Sequence, residues 1–324
     1  MDGRVVDVVI IGAGLAGLVA ARELAATGKD VVVLDKGRGV GGRLATRRIG
    51  VEGAGGEVAG APALLDHGAP TVDDVTRDEL VARYGGWPTD RGISAVAKHL
   101  AVDLDVRLSH RVDRVGVHDG LWRIEGEGPD GRFEPLLASS LLVTAPVPQT
   151  RALLATSGVE LDEAVDATLR AVRYDPCTVV LAVLDGPSGL DPDGMRGSSD
   201  GAVELVVDHR LAGSSPLPAV TVRAPASASK ELRSTPDEDV VAVLLDGAAL
   251  GAEVVDGTAQ VHRWRYARVA DPVRATHLVA ATDPLLVLAG DAFVGGADGW
   301  VSDGRLSDVG VAYRSGLAAA AALG

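Results

Sequence analysis

The sequence predicts an α/β protein: a parallel sheet assembled from both ends of the chain, with an antiparallel-sheet domain inserted between them. Three observations predict it. "VVDVVIIGAG" is a continuous β-branched run that stops at glycine, the pattern of a strand buried on both faces. "GAGLAG" follows and opens a helical stretch that leads into a second apolar strand, "DVVVLD". Strand-like runs then gather between residues 151 and 275, and "LLVLAGDAF" with a last helical run returns to the opening pattern.

The first unit is strand, glycine turn, helix, strand. Gly12, Gly14 and Gly17 stand in G-x-G-x-x-G register with Leu15 and Ala16 between the last two, and Gly28 closes the helix. The first glycine permits the tight turn, the second lets a pyrophosphate approach the backbone, and the third lets helix and strand pack closely. The helix N-terminus faces the phosphates. Asp35 ends the second strand about twenty residues on, where a carboxylate accepts hydrogen bonds from ribose hydroxyls. This is a Rossmann-type unit, and by itself it admits NAD as well as FAD.

The next stretch separates the two cofactors. "DKGRGVGGR" runs from Asp35 to Arg43 and places Lys36, Arg38 and Arg43 around Gly41 and Gly42, just before Leu44. Bare backbone with cationic side chains suits close approach to an anion, with charge-assisted hydrogen bonds from the arginines. The combined pattern resembles the FAD-binding signature of the amine-oxidase-like flavoprotein superfamily, and the implied cofactor is FAD. Two later strand ends join it: "LLVTAPVPQT", with Ala145 at its turn, and "LLVLAGDAF", with Gly290 and Asp291. The resemblance gives Asp291 a hydrogen bond from the flavin ribityl chain. "SDVGVAYRSGLAAAAALG" predicts a helix capped by Ser307 or Asp308. Its positive end, at Val309 and Gly310, points at the flavin.

Within residues 151–275, "CTVVLAVL", "GAVELVVD", "AVTVRA" and "TAQVHRWRY" predict strands, and "STPDEDVVAVLLDGAAL" a helix with proline near its start. Domains of residues 1–150 plus 276–324, and of residues 151–275, are expected. Strand alternation puts His262, Trp264 and Tyr266 on one face of "VHRWRYA", and Val261, Arg263 and Arg265 on the other. That aromatic face reads either as a wall against substrate or flavin or as half-buried sheet packing. His67, in "LDHGAPTV", is the other candidate catalytic side chain, although a lone loop histidine is more often structural. Cys177 follows Asp175-Pro176 at an expected strand start and reads as an inert buried thiol.

Composition narrows the classes. The formal charge is −14, which disfavours duplex or anionic-membrane partners. One cysteine permits no intrachain disulfide. The N-terminus lacks a basic n-region, and the longest uncharged apolar run, Val8 to Ala21, is too short to span a bilayer. A cytoplasmic protein, monomeric or weakly dimeric, with no nucleic-acid or membrane partner and no metal, is expected. No G-x-S-x-G, H-E-x-x-H, Walker A or C-x-x-C motif occurs.

"DKGRGVGGRLATRR", "DHGAPTV", "ISAVAKHLA", "YDPC", "VHRWRYA" and "LAGDAF" resemble, in this order, bacterial renalase-like proteins of the FAD-dependent amine-oxidase superfamily. The resemblance implies a p-hydroxybenzoate-hydroxylase-like fold with one non-covalent FAD. It implies oxidation of dihydronicotinamide isomers of NAD(P), with dioxygen reduced to hydrogen peroxide. It places cofactor contacts on the Gly12–Gly17 loop, Asp35, Lys36, Gly42, Arg43, the Gly68–Ala69–Pro70 turn, Val112 and Asp291. The chain departs from the family after that turn, where Thr71 and Val72 replace an aromatic pair, and at Val309-Gly310-Val311, which a glycine-rich stretch precedes. Three functions stay open: a renalase-like oxidase, a flavin amine oxidase or dehydrogenase of another small substrate, and a non-catalytic FAD-binding homologue. A pocket made positive by Arg47, Arg48, Arg263 or Arg265 would favour a phosphate-bearing substrate.

Overall fold

The computed structural model describes residues 4–51, 60–69, 72–86, 91–198, 201–295 and 308–324. The predicted βαβ unit forms as β1 (Val5–Ile11), α1 (Leu15–Ala26) and β2 (Val31–Leu34). Val8, Val9 and Ile10 are fully buried because both faces of β1 are covered. Val8 and Ile10 pack into a core with α1, and Val6 and Val9 into a second core on the opposite face. Burying each such side chain is worth about 1.5–3 kcal/mol. Two-sided burial explains the unbroken apolar run.

A two-stranded sheet, two helices and a meander follow. These are β3 (Thr46–Ile49), β4 (Ala63–Asp66), α2 (Asp74–Tyr84), α3 (Ser94–Leu100), β5 (Asp105–Arg107), β6 (Arg111–His118), β7 (Leu121–Gly128), β8 (Gly131–Arg132) and β9 (Leu136–Val143). Next come α4 (Val147–Thr156), α5 (Glu163–Ala171), β10 (Arg173–Val183), β11 (Met195–Gly197), β12 (Leu205–Asp208) and β13 (Ala219–Arg223). The chain ends with α6 (Ala226–Glu231), α7 (Asp237–Ala248), β14 (Gln260–Asp271), β15 (Leu278–Thr282), β16 (Leu285–Leu288) and α8 (Asp308–Leu323).

Strands β5, β2, β1, β9 and β16 run parallel in that spatial order. β15 adds an antiparallel edge, and β6 to β8 form an antiparallel meander on β9. A second sheet, in the order β11-β12-β13-β10-β14, is antiparallel throughout. α6 and α7 cover one of its faces. The chain is therefore an α/β protein with a Rossmann-type sheet and a separate antiparallel sheet. Leu154, Leu169 and Val172 pack into the core of the first sheet, so the second sheet takes its residues from Arg173 onward.

Two local expectations change. β10 begins at Arg173, so Cys177 lies inside a strand and not at its start, with a register shift between Asp175 and Cys177. Pro176 has no N–H, and the strand tolerates it because pairing with β13 begins only at Val179. α8 starts at Asp308, which makes that residue its first and not its cap; Ser307 lies outside the described residues. α7 meets its expectation: Pro236 precedes it, and Asp237, Glu238 and Asp239 fill its first turn, complementing the helix dipole.

α8 crosses α1 at close range. A Cβ on Gly316 would lie 2.5 Å from the Ala16 carbonyl oxygen. This contact brings the N-terminal turn of α8 to the glycine loop of β1–α1. Among the described residues, no helix is long and apolar enough to cross a membrane.

Candidate dinucleotide and substrate site

A cleft of about 750 Å³ opens between the C-terminal ends of the parallel strands and the second sheet. Gly12, Gly14, Leu15, Ala16, Asp35, Lys36, Gly41, Gly42, Arg43 and Leu44 line it from the first part of the chain. Ala69, Val112, Ala145, Gly290, Asp291, Val309, Trp264 and Tyr266 line it from elsewhere. Residues as far apart in the sequence as Gly12 and Val309 thus meet at one surface, as strand ends of a parallel sheet do.

The glycine loop is shaped by contacts that only glycine permits. A Cβ on Gly17 would lie 2.0 Å from the Gly12 carbonyl oxygen, so Gly17 is what lets α1 sit down on β1. Gly41 has φ of +110°, and its N–H donates to the Ala13 carbonyl at 2.8 Å, which folds the second glycine loop against the first. Gly14 is the N-cap of α1 and offers no side chain to the first-turn amides; no acidic residue stands in that turn. The space where its Cβ would point is open for 4 Å. Uncapped N–H groups, no competing carboxylate and an empty cradle fit a diphosphate.

Asp35 is held by the backbone on both oxygens. Oδ2 accepts from Ala13 N at 2.7 Å and Oδ1 from Gly37 N at 2.6 Å. A carboxylate has further lone pairs to offer, and ribose hydroxyls fit them. Lys36 Nζ donates to Gln149 Oε1 at 3.0 Å. Arg38 is exposed and stands outside the cleft, because Gly37 turns back onto Asp35 and its carbonyl accepts from Ser109 N.

Arg43 and Asp291, separate in the sequence reading, face each other. Two bonds of 2.6 Å join the guanidinium to the two carboxylate oxygens, and Arg43 also donates to the Ala267 carbonyl. The Asp291 side chain is 6% exposed and that of Arg43 23%. Tyr174, which sequence reasoning missed, points its hydroxyl at Asp291 at 3.4 Å and packs edge-on against Tyr266. Burial and the Asp291 charge push its phenol pKa up. Its signal was present in "YDPC", where an aromatic residue precedes a proline bulge.

Strand alternation holds in β14. Val261 packs into the helix-covered core, and Arg263 is tied to Asp237 by a 2.6 Å bond and to the Thr235 carbonyl. His262 and Trp264 lie on the other face, their ring centroids 4.4 Å apart. His67 completes this cluster, 4.8 Å from His262 and stacked at 5.5 Å on Trp264. Neither histidine lines the cleft, whereas Trp264 and Tyr266 do. Burial, then the nearby His262, Arg47 and Arg223, push the His67 pKa down to about 3. Its Nδ1 is buried without a partner. Burial and Arg47 push His262 down as well.

The turn that carries His67 is clamped from both sides. Thr221 Oγ1 donates to the Asp66 carbonyl at 2.9 Å, Trp264 Nε1 to that of His67 at 2.7 Å, and Arg223 Nη1 to that of Gly68 at 2.6 Å. On its other side Ala69 N donates to the Arg43 carbonyl, and a Cβ on Gly68 would lie 1.9 Å from the same oxygen. Gly68 therefore packs behind the cleft and Ala69 lines it; Pro70 lies outside the described residues. Gly310 is buried in α8, one residue beyond the lining Val309. Ser315 of α8 accepts from Gly290 N at 2.8 Å and fixes the turn before Asp291. Among the described residues, no group of histidine, cysteine or carboxylate side chains could hold a metal ion.

Comparisons with known proteins agree with this geometry. Residues 10–84 match the family described as an NAD(P)-binding Rossmann-like domain. Over 94 residues, 29% of this chain, the sequence is 40% identical to a Mycobacterium tuberculosis protein assigned as a flavin-containing monoamine oxidase, and the match covers 17% of that protein. Over 84 residues it is 40% identical to lysine-specific histone demethylase 1 homolog 1 of Arabidopsis thaliana, covering 9% of it. These matches span less than a fifth of either relative. Likeness over the whole chain is structural. Putrescine oxidase bound to putrescine superposes with a TM-score of 0.63 at 15% identity, covering 98% of this chain and 99% of that one. A structure assigned as a protoporphyrinogen oxidase from Exiguobacterium sp. 255-15 gives 0.63 at 13% identity, covering 100% and 99%. The class defined is a Rossmann-type dinucleotide-binding protein with a separate antiparallel-sheet domain. The particular fold is the one seen in putrescine oxidase.

Proposed function

We propose that this protein is an FAD-dependent oxidoreductase of the amine-oxidase type. Residues 1–150 and 276–324 are assigned to the FAD-binding domain and residues 151–275 to the substrate domain, whose first part, the end of α4 with α5, packs on the first sheet before β10 begins at Arg173. The observation that carries the reading is the joining of two glycine loops, an uncapped helix N-terminus and the fixed Asp35 in one cleft of about 750 Å³. The relatives point the same way, since one of them is assigned as a flavin-containing oxidase.

The residues divide the work. The α1 amides and Gly14, with Gly41 and Gly42, receive the diphosphate. Asp35 holds the adenosine ribose, and Val112 and Ala145 flank that half. Asp291, fixed by Arg43, accepts from the ribityl chain, and Val309 brings the positive end of α8 to the pyrimidine edge. When bound, FAD supplies the hydride acceptor, and dioxygen carries the electrons on to hydrogen peroxide. Trp264 and Tyr266 exclude water from the reacting face and orient the donor. No general base is required for a hydride donor, which suits a cleft that neither His67 nor His262 lines, both lowered in pKa by burial behind Trp264.

Two donor classes follow from two observations. "VHRWRYA" reaches the cleft through Trp264 and Tyr266, and Tyr174 of "YDPC" packs on Tyr266 beside it, which supports the renalase-like oxidation of dihydronicotinamide isomers. The likeness to the monoamine oxidase supports a small amine donor. Anaerobic addition of each class to the flavin-loaded protein tests both. Bleaching by one class, reversed by air, identifies the donor. Flavin that neither class bleaches would overturn the catalytic reading.

A further inference from the structure

A second, smaller cavity lies behind Arg43 and Ala69, which line both it and the main cleft. Its volume is about 50 Å³, and Asp175, Cys177, Glu204, Arg223 and Arg268 make its polar wall. The charges in this wall are unequally matched. Glu204 pairs with Arg268 at 2.9 Å, Asp175 with Lys230 at 2.9 Å, and Arg43 with Asp291. Arg223 has no such partner: among the described residues its hydrogen bonds go to the Gly68 carbonyl and to the Cys177 sulfur, and no carboxylate lies within ion-pair distance. It is nevertheless only 5% exposed. Cys177 beside it adds no negative charge, since burial pushes the thiol pKa up.

A buried guanidinium with only neutral partners is costly, because its full charge and its remaining N–H donors stay uncompensated. Water filling the cavity can accept from the N–H groups but cannot balance the charge. A small anion does both. The geometry points to a carboxylate carried by the substrate, received by Arg223 in this cavity while the oxidisable part of the same molecule lies against Trp264 and Tyr266. One uncompensated positive charge matches a monoanion, and about 50 Å³ suits a carboxylate group better than a diphosphate. This inference rests on the oxidoreductase reading and narrows its amine donor to a carboxylate-bearing one.

The test uses benzoate and its neutral isostere benzamide, titrated into the flavin-loaded protein and followed by the flavin difference spectrum. Tryptophan fluorescence follows the same titration, with or without flavin. Benzoate is expected to bind at least about tenfold more tightly than benzamide, the worth of a charge-assisted hydrogen-bonded contact. Arg223→Gln should erase that preference at unchanged flavin content, and Arg223→Lys should retain part of it. Equal binding of benzoate and benzamide to the unaltered protein would overturn the inference even if Arg223→Gln fails to fold. So would a benzoate preference that survives in a folded Arg223→Gln. Tight Arg223-dependent binding of nitrate, with none of benzoate, would also overturn it and assign the cavity to a free anion. A protein that takes up no flavin refutes the oxidoreductase reading instead, and fluorescence still reports the anion.

Discussion

The two walls of the cleft are made of different material. The wall from residues 12–44 is backbone: two glycine loops, uncapped helix amides and a carboxylate pinned by main-chain N–H groups. The wall from the second sheet is side chain: Trp264 and Tyr266, with Tyr174 packed on Tyr266 and Arg223 behind. At Gly17 and Gly41 the backbone wall has no slack, since a single added atom meets a carbonyl. A side-chain wall loses one bond at a time. The first kind suits a constant part of a ligand, and the second a part that differs between substrates.

That contrast can be broken or sharpened by substitution. The largest effect is expected from Gly17→Val, whose Cβ would enter the space 2.0 Å from the Gly12 carbonyl oxygen. The loss should be about 3 kcal/mol or more, with flavin content falling alongside the melting temperature. A variant of unaltered stability and flavin content would break the claim that the backbone wall has no slack.

Next comes the ion pair that joins the walls. Asp291→Ala strands the part-buried Arg43 charge and should cost about 3 kcal/mol in urea unfolding. Arg43→Ala should also weaken FAD binding. Together the two should cost less than the sum of the single changes, because they remove one pair. Strict additivity would show that the bidentate contact contributes nothing.

A smaller effect belongs to the side-chain wall. Trp264→Phe keeps the ring against His67 but removes the Nε1 donor to the His67 carbonyl. It should cost about 1 kcal/mol by thermal unfolding. A loss as large as that of Gly17→Val would erase the distinction between the walls.

The smallest effect near neutrality is electrostatic. His67 has its pKa lowered from 6.5 to about 3 in the folded chain, so the unfolded chain binds more protons between those values. Stability is therefore full above the unfolded value and is lost as pH falls from 6.5 toward 3. From pH 7 to pH 6 the loss should be less than about 1 kcal/mol, steepening below. His67→Leu should flatten the profile, although His262 and His209, also lowered by burial, slope the same way. An unchanged profile in a folded His67→Leu would show that His67 does not carry it.

The same contrast explains what could be read from the sequence. The parallel sheet, the glycine loops and the strand ends at Ala145 and Asp291 were legible, because each depends on a local pattern of apolar runs, glycines and one acid. The alternation of "VHRWRYA" was legible too, and it separated Arg263 from Trp264 correctly. What was not legible is pairing across the chain. Nothing near Arg43 announces Asp291, and Arg43 read alone looked free to meet a phosphate. Nothing near Arg223 announces that it donates to a carbonyl 155 residues away. The bulge at Pro176 and the start of α8 were missed because both depend on where neighbouring elements begin.

The most direct measurement is the visible absorbance spectrum of the purified protein, before and after incubation with FAD and removal of the excess. A cleft built as described should retain about one FAD per chain and show a flavin spectrum, and Gly17→Val should lose it. A colourless protein that takes up no FAD would contradict the assignment of the cleft, and with it the proposed activity.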